Sequence, residues 1–600
     1  MNKKNNYLNN LRHSCAHLLA AAVKDLHPGV HNAIGPSIEN GFYQDFDMVK
    51  WTVSEADFPK IEKRMRELLK SWAPFEEKEV SVKQALKDFA KNPYKVELIK
   101  DFAKADKKIT ENNPGNFLDL CKGGHSHDPK KELKNFKLLS IAGAYWRGDE
   151  KKKMLTRIYG TLFPTKEELD KYLWQQEEAK KRDHRKLGRD LGLFLISDQV
   201  GPGLPIFLPK GAVVRSLIEE YLIKLKKDNG YKFVWTPHIA RSQIYHTSQH
   251  WGKYDAMFSA MKLDKEEYVL KPMNCPHHFQ VFLDKPRSYK ELPFRIAENG
   301  VVYRHEKSGE VSGLLRVRAL TIDDTHTFIR FSQTYDELNR VLKLIKDVFD
   351  KFGFKEFKAR ISLRDSRHPE KYLGSPEEWE RAENALKNAA KHLQIKYNEG
   401  VGEAAFYGPK IDIMVKDNLG REWQLSTVQL DYNQPKNFSM KYIDEKGKDV
   451  YPAILHIAMV GSIERFMAIL IEHYAGAFPL WLSPIQVAIL PISDKHISYS
   501  KKIKELLEKD DIRVELNDEN KTIGAKIREA TLQKIPYMVI IGAEEIRRST
   551  ILSPDSIGKG SHYQQDKLYI SVRTREGKNL GLMNLYEFIK KLKSQIETFL

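Results

Sequence analysis

The sequence predicts a multidomain protein of mixed α/β and α+β class, and three observations carry that prediction. Its 600 residues suit three or four domains and need no disulfide staples. From "LSPIQVAILPIS" onward, short β-branched strands alternate with helices, the pattern of a mostly parallel sheet. Upstream, helices are interleaved with β-branched and aromatic strands and with glycine turns such as "NAIGPSIENGFYQDF".

In chain order, residues 1–164 mix short helices and strands. Residues 165–190, "TKEELDKYLWQQEEAKKRDHRKLGRD", read as one charged helix capped at Thr165, with Glu167 and Glu168 in its first turn. Gly188 lies near the end of that helix, and its weak apolar face suits a bridge between domains. Residues 191–484 form the central unit. There "AVVRSLIEEYLIKLKKDNG" is a helix stopped by Gly230, followed by the strand "YKFVWTPHI", whose Pro237 fits only an edge or an interface. Residues 485–600 form the small α/β unit, with helices "KKIKELLEKD" and "IGAKIREATLQK" between strands ending at "PYMVIIG". Within it, residues 547–567 have turn composition and read as an exposed insertion.

Charge and cysteine usage narrow the function. Lys and Arg number 99 against 81 acidic residues, a net charge of +18 that favours a polyanionic partner. No run approaches the roughly 18 apolar residues of a membrane span, and no apolar signal region follows the basic N-terminus. Three scattered cysteines cannot make a disulfide framework, so a soluble, cytoplasmic protein with no membrane partner is expected. Each cysteine nevertheless has a histidine within four positions, in "HSCAHLL", "DLCKGGH" and "NCPHH". On pattern alone these thiols are open to three readings: metal ligands, nucleophiles or core filler.

A further pattern lies in "LRVRALTIDDTHTF". If the whole stretch is extended, Arg316, Arg318, Leu320, Ile322, Asp324 and His326 share one face, and Thr321, Asp323, Thr325 and Thr327 the other. Guanidiniums at one end and a carboxylate with an imidazole at the other suit a wall that holds a phosphate and a polar substrate. A solvated strand face with ordinary ion pairs is the plainer reading.

"YRHE" followed by "LRVRALTIDDTH" resembles the second signature of class II aminoacyl-tRNA synthetases, "GSIERF" the third and "WTPHI" the first. Within that class "KPMNCP", "DDTH", "FYGPKID", "TVQLDY" and "ILHIAMVGSIERF" resemble the threonyl-tRNA synthetases, over a span from about Leu11 to the C-terminus. The resemblance implies an antiparallel-sheet catalytic core between an N-terminal α+β editing domain and a C-terminal α/β anticodon-binding domain. It also implies ATP-dependent activation of L-threonine, transfer to tRNA(Thr), hydrolytic editing of seryl-tRNA(Thr), and a homodimer. In the family one zinc ion per subunit is held at the positions of Cys275, His326 and His456 and takes the amino and hydroxyl groups of threonine. Asp324 matches the partner of that hydroxyl and Tyr407 the residue near the amino group. Arg304 matches the residue on the α-phosphate and threonine carboxylate. Glu306, Arg316, Gln429 and Arg465 match the other ATP-binding positions, with Mg²⁺ on the outer phosphates.

Serine carries the same groups as threonine and is smaller, so a second, hydrolytic site is required. His13, His17, Lys95, Asp119, Cys121 and His125 match that editing site. Two histidines and a Cys–His pair could instead hold zinc, as in a related alanine-specific editing domain, while Cys15 is expected to pack within its helix. Asn520, Arg528, Glu545 and Arg573 match anticodon-contacting positions or their neighbours. The family's usual N-terminal ubiquitin-like domain is expected to be missing. Three positions depart from the family: Leu320 for an aromatic on adenine, Ile322 for a glutamine, and Gly124 for a proline. Two readings of other kinds stay open at this point: a non-catalytic RNA-binding paralogue, and a ligase with another acceptor.

Overall fold

Residues 3–549 and 567–598 are described by a computed structural model, in which the chain divides into two units, Met1–Glu177 and Glu178–Leu600. Of the expected insertion at 547–567, residues 550–566 lie outside the described residues.

In the first unit the long helix Lys3–Leu26 buries Leu11, Cys15, Leu18, Leu19 and Ala22, the spacing of one helical face. That face packs with residues of the antiparallel strands Gly41–Asp47, Phe136–Tyr145 and Met154–Leu162 and of the helix Phe58–Leu69. A second antiparallel sheet joins Glu76–Glu79, Thr110–Asn113 and Asp119–Leu120. It delivers Cys121, whose backbone N–H reaches Thr110 O at 3.1 Å.

The helix expected over 165–190 is two helices. Thr165 Oγ1 does cap the first, accepting from Glu168 N–H at 3.2 Å, but that helix ends at Arg182 and a second runs from His184 to Asp190. Asp183 causes the break. Its carboxylate accepts the Arg185 N–H at 2.8 Å, starting a new helix in place of continuing the old one.

The second unit is organised by an eight-stranded sheet: β1 (Lys232–Phe233), β2 (Phe294–Tyr303), β3 (Ala319–Ile329), β4 (Phe357–Leu363), β5 (Tyr397–Val401), β6 (Lys410–Lys416), β7 (Glu422–Asp431) and β8 (Ala453–Ser462). Its order is β1-β2-β3-β8-β7-β6-β4-β5. The outer pairs β1–β2 and β4–β5 are parallel and every inner pair is antiparallel. One face is apolar. Leu338, Val341, Leu342, Ile345, Val348 and Phe349 of the helix Thr334–Lys351 share a core with Leu455, Ile457, Val428 and Leu430. The helix Ile463–Tyr474 is buried and apolar through its middle, Phe466–Ile471, with charged residues toward both ends.

Two expectations about strands are corrected. Regular pairing in β3 begins at Ala319, so Arg316 and Arg318 are not on its pleat; Arg316 closes a turn by bridging to Ser312. The stretch "YKFVWTPHI" splits into Lys232–Phe233 and Ile239–Arg241. Pro237 has no N–H to donate, and Thr236 gives its own N–H to the Glu298 carboxylate at 2.7 Å instead of a strand. The final domain pairs Val487–Pro491 in parallel with Val514–Leu516 and Tyr537–Ile541, then adds the antiparallel strands Tyr569–Thr574 and Asn579–Asn584.

One buried ion pair pins the sheet to a helix. Lys226, from the helix Pro209–Asp228, meets the Asp323 carboxylate, and both side chains are fully buried. The other Asp323 oxygen accepts the backbone N–H groups of Met459 and Val460, each at 2.9 Å. Burial holds the Asp323 carboxyl above its ordinary value in spite of Lys226. Lys226→Met should therefore lower the unfolding free energy of this unit by about 3 kcal/mol, because it strands a buried carboxylate. Urea titration would measure it, and a loss below about 1 kcal/mol would refute the assigned role.

Candidate active sites

The polar face of the sheet is assembled by register. His326 on β3 lies directly opposite His456 on β8, and His456 lies opposite Gln429 on β7. Asp324, two residues from His326, opposes Glu298 on β2. Cys275 opens the helix Cys275–Phe282. Its sulfur and one ring nitrogen from each of His326 and His456 all lie within 4.8 Å of one another.

The hydrogen bonds around these donors have one consistent direction. His278 Nε2 is 3.2 Å from Glu298, His278 Nδ1 is 2.8 Å from His326 Nδ1, and His326 Nε2 is 2.9 Å from His456 Nδ1. His456 Nε2 is 3.0 Å from Asp431 Oδ2. Carboxylates only accept, so His278 donates to Glu298 and receives from His326 Nδ1–H, while His456 donates to Asp431. The lone pairs of His326 Nε2 and His456 Nδ1 then point at each other and toward Cys275. Neutral imidazoles, each with its second nitrogen tied to a fixed acceptor, are the usual surroundings of metal-binding histidines. Burial pushes His326 well below its ordinary value and keeps it neutral. Burial, with Asp324 nearby, pushes the Cys275 thiol up, so a cation is what would make it a thiolate. These residues fit a zinc ion with part of its coordination left open.

The other predicted residues surround this cluster. Asp324 accepts from Asn274 Nδ2 at 3.0 Å. The Tyr407 ring lies 5.8 Å from that of His456, with its phenol raised well above the ordinary value by burial. Gln429 donates to Gly408 O at 3.2 Å. Arg304 reaches Pro272 O at 3.5 Å and lies over the Tyr254 ring. Arg316 is exposed and pairs with Glu306 at 2.7 Å and Glu310 at 2.9 Å. Arg465 Nε is buried with no hydrogen-bond partner among the described residues. Burial and the nearby Arg316 lower Arg465, as expected of cations gathered for an anion. Leu320 packs against Val302, Val317 and Ile322, so the two departures on this strand repack together.

Sequence reasoning missed His278, Glu298 and Asp431. His278 was within reach, since "CPHH" places it one helical turn after Cys275. Glu298 and Asp431 depend on strand register and carried no local signal.

The first unit holds a second cluster beside a cavity of about 500 Å³ lined by His13, His17, Lys95, Asp119, Cys121 and Gly124. His13 Nε2 is 2.8 Å from Cys121 Sγ and His125 Nε2 is 3.3 Å from it. His17 Nε2 lies 3.3 Å from His13, and His17 Nδ1 is 3.0 Å from Asp119, whose other oxygen pairs with buried Lys95 at 2.6 Å. All six predicted residues are brought together. Asn32, which donates to Asp119 at 3.1 Å, was missed. Gly123 and Gly124 both have positive φ, +84° and +81°, which proline cannot adopt, so the turn takes a course closed to the family's proline.

Burial would lower His17, but its bonds to Asp119 and Cys121 reverse that and carry it up to about 9. Burial would raise Cys121, yet His125, His13 and His17 outweigh it and pull the thiol down to about 3. Cys15 is fully buried and its thiol is pushed up by that burial. Over the anticodon-side positions, Asn520 and Arg528 are exposed, and Arg573 is half-buried on the strand Tyr569–Thr574. Glu545 is buried and occupied, accepting the Gly542 N–H at 2.7 Å and the Ser571 hydroxyl.

Residues 258–474 match the tRNA synthetase class II core domain (G, H, P, S and T), and residues 486–595 match the anticodon binding domain. The threonine–tRNA ligase of Rubrobacter xylanophilus is 45% identical over 591 residues, 98% of this chain and 88% of that protein. The chain belongs to the threonine–tRNA ligase family. The Flavobacterium johnsoniae threonine–tRNA ligase is 48% identical over 567 residues, covering 94% of this chain and 86% of its own length. Among solved structures, the RNA binding domain of threonyl-tRNA synthetase from Cryptosporidium parvum superposes with TM-score 0.63 at 34% identity, covering 69% of this chain and 98% of that one. Prolyl-tRNA synthetase from Giardia lamblia, at 17% identity and TM-score 0.53, covers 71% of this chain and 80% of its own and shares the fold alone. The chain is thus a class II ligase that joins threonine to tRNA at the expense of ATP. No helix among the described residues is long and apolar enough to cross a membrane.

The cysteines give a direct test of the electrostatics. With its thiol pulled down to about 3, Cys121 is a thiolate across neutral pH, so its alkylation by iodoacetamide should be nearly flat between about pH 5 and pH 8. Cys15 should stay unmodified in the folded protein. Peptide mass spectrometry would read both, and a Cys121 rate rising about tenfold per pH unit would refute the assignment.

Proposed function

We propose that the polar face of the sheet activates threonine on a zinc ion held by Cys275, His326 and His456. The observation that carries this is the convergence of those three donors, with the spare nitrogen of each histidine committed elsewhere. When bound, zinc supplies a Lewis-acid centre for the amino and hydroxyl groups, and valine, lacking the hydroxyl, is rejected. Asp324 accepts from the substrate hydroxyl and Tyr407 packs at the amino end. Arg304, Glu306, Arg316, Gln429 and Arg465 hold ATP, with Mg²⁺ on its outer phosphates. The threonine carboxylate attacks the α-phosphorus, the bond to the β-phosphate breaks and pyrophosphate leaves, and the chain contributes position and positive charge.

The cluster in residues 1–164 deacylates seryl-tRNA(Thr). Lys95 and Asp119 hold the protonated His17 ring in place, and His13, Cys121 and His125 place a water against the ester. Asn520, Arg528, Glu545 and Arg573 belong to the anticodon-reading end at 485–600, with 165–190 as linker and 191–484 as the catalytic domain. A cytoplasmic homodimer completes the reading, supported by Pro237 beside a broken, half-exposed edge.

Two experiments test it. Cys275→Ser should lose about one zinc per chain together with threonine-dependent pyrophosphate exchange. Retained zinc with retained activity would remove the metal site. A second zinc that survives Cys275→Ser and leaves in His17→Ala would assign metal to the N-terminal cluster. Separately, His17→Ala should keep exchange activity but deacylate preformed seryl-tRNA(Thr) at least about a hundredfold more slowly. An equal rate in a folded variant would end the editing assignment.

A further inference from the structure

His184 is only 2% exposed, although it opens a short helix between two charged segments. Its Nδ1 lies 2.7 Å from Glu472 Oε1, and the same oxygen accepts the His184 backbone N–H at 3.2 Å. A carboxylate can only accept, so Nδ1 carries the proton and Nε2 is left with a lone pair. That lone pair receives the backbone N–H of Leu314 at 3.1 Å.

Leu314 sits in the turn Ser312–Arg316, closed by Ser312 N–H to Arg316 O at 3.1 Å and by Arg316 N–H to Ser312 O at 3.2 Å. At Gly313 a Cβ would overlap His184 Nε2, so the turn rests directly on the imidazole. Glu472 lies in the last turn of the helix Ile463–Tyr474, which also carries Arg465. At the other end of that helix Glu464 accepts the Thr321 N–H and pairs with Arg215, each at 2.9 Å. Two buried glutamates thus tie one helix to several neighbours, Glu464 to Thr321 and Arg215 and Glu472 to His184 and Arg421, and of these partners His184 is the one that bonds to the Arg316 turn.

We infer that His184 is a positioning residue for ATP: it clamps the Ser312–Arg316 turn to the Ile463–Tyr474 helix and so sets Arg316 against Arg465. The inference rests on the reading that these two arginines bind the nucleotide. His184 touches no substrate, and its effect passes through a backbone N–H.

The two ring nitrogens can be tested separately. In His184→Asn the amide nitrogen stands where Nδ1 stood and keeps the Glu472 bond, but nothing reaches Leu314. In His184→Gln the amide oxygen extends to the Nε2 position and can still accept. In threonine-dependent pyrophosphate exchange, His184→Asn should raise the KM for ATP about tenfold, leaving kcat, the KM for threonine and bound zinc within about twofold. His184→Gln should stay within about twofold of wild type throughout. Gly313→Ala, which pushes the turn off an intact His184, should reproduce the ATP defect, and it decides the matter if His184→Asn does not fold. Equal impairment of the Asn and Gln variants, a fall in kcat alone, or an unchanged KM for ATP in both His184→Asn and Gly313→Ala would overturn the inference. Arg316→Ala serves as the control: if it leaves the KM for ATP unchanged, the nucleotide-site reading itself fails.

Discussion

The catalytic unit depends on one alignment, the pairing of β3 with β8 that sets His326 opposite His456. A slip of one residue would carry every side chain of β3 to the other face. His326 would then point into the apolar core and Thr325 or Thr327 would take its place beside Cys275. The alignment is held from behind. Asp323 takes a lysine from one helix and two backbone N–H groups from β8, and these bonds cannot be re-made in another register. The histidine face and the apolar face are therefore not independent designs, since adjacent residues of one strand serve both.

The same economy recurs in the hydrogen-bond chain behind His326. Glu298 is held by Thr236, and its proximity to His278 and Lys271 outweighs burial and keeps its carboxylate below the ordinary value. That fixes which His278 nitrogen donates, which in turn fixes which His326 nitrogen is free. A break in an expected strand, at Thr236 and Pro237, is thus what releases an N–H to orient Glu298. The N-terminal cluster is arranged differently: there the charges are strong, with a thiolate and a protonated His17 side by side, each stabilising the other away from bulk water.

Much of the candidate site was legible in the sequence because it lies in short, distinctive runs. "DDTH" names Asp324 and His326, "NCPHH" contains Cys275 and, unread, His278, and the "HSCAH" and "CKGGH" runs hold four of the six N-terminal residues. The fold class followed from periodicity for the same reason. What stayed hidden depends on partners distant in sequence. Asp431 reaches His456 across β7 and β8, and Asn32 reaches Asp119 over 87 positions. Helix integrity over 165–190 was misread because Asp183 and His184 look like ordinary helix-surface residues until Glu472 is seen to draw the histidine inward. Arg316 and Arg318 were placed on a pleat that does not extend to them, since a turn and a strand can share the same alternation of polar and apolar residues.

The pairing of β3 with β8 shifts between Ile322 and Asp324, where β8 carries the extra residues, while the pairing of β3 with β2 runs unbroken from Leu320 to His326. On one side lie Asp324 and His326, whose positions are dictated by the buried lysine and the facing histidine. On the other lie Leu320 and Ile322, two of the three positions that depart from the family pattern, packed with Val302 and Val317. Because β8 takes up the shift in its own backbone, β3 keeps a continuous ladder with β2 along both groups of side chains. The strand is thus a continuous beam beside a spliced neighbour, so a change at Leu320 or Ile322 is carried by the same ladder that holds Asp324 and His326.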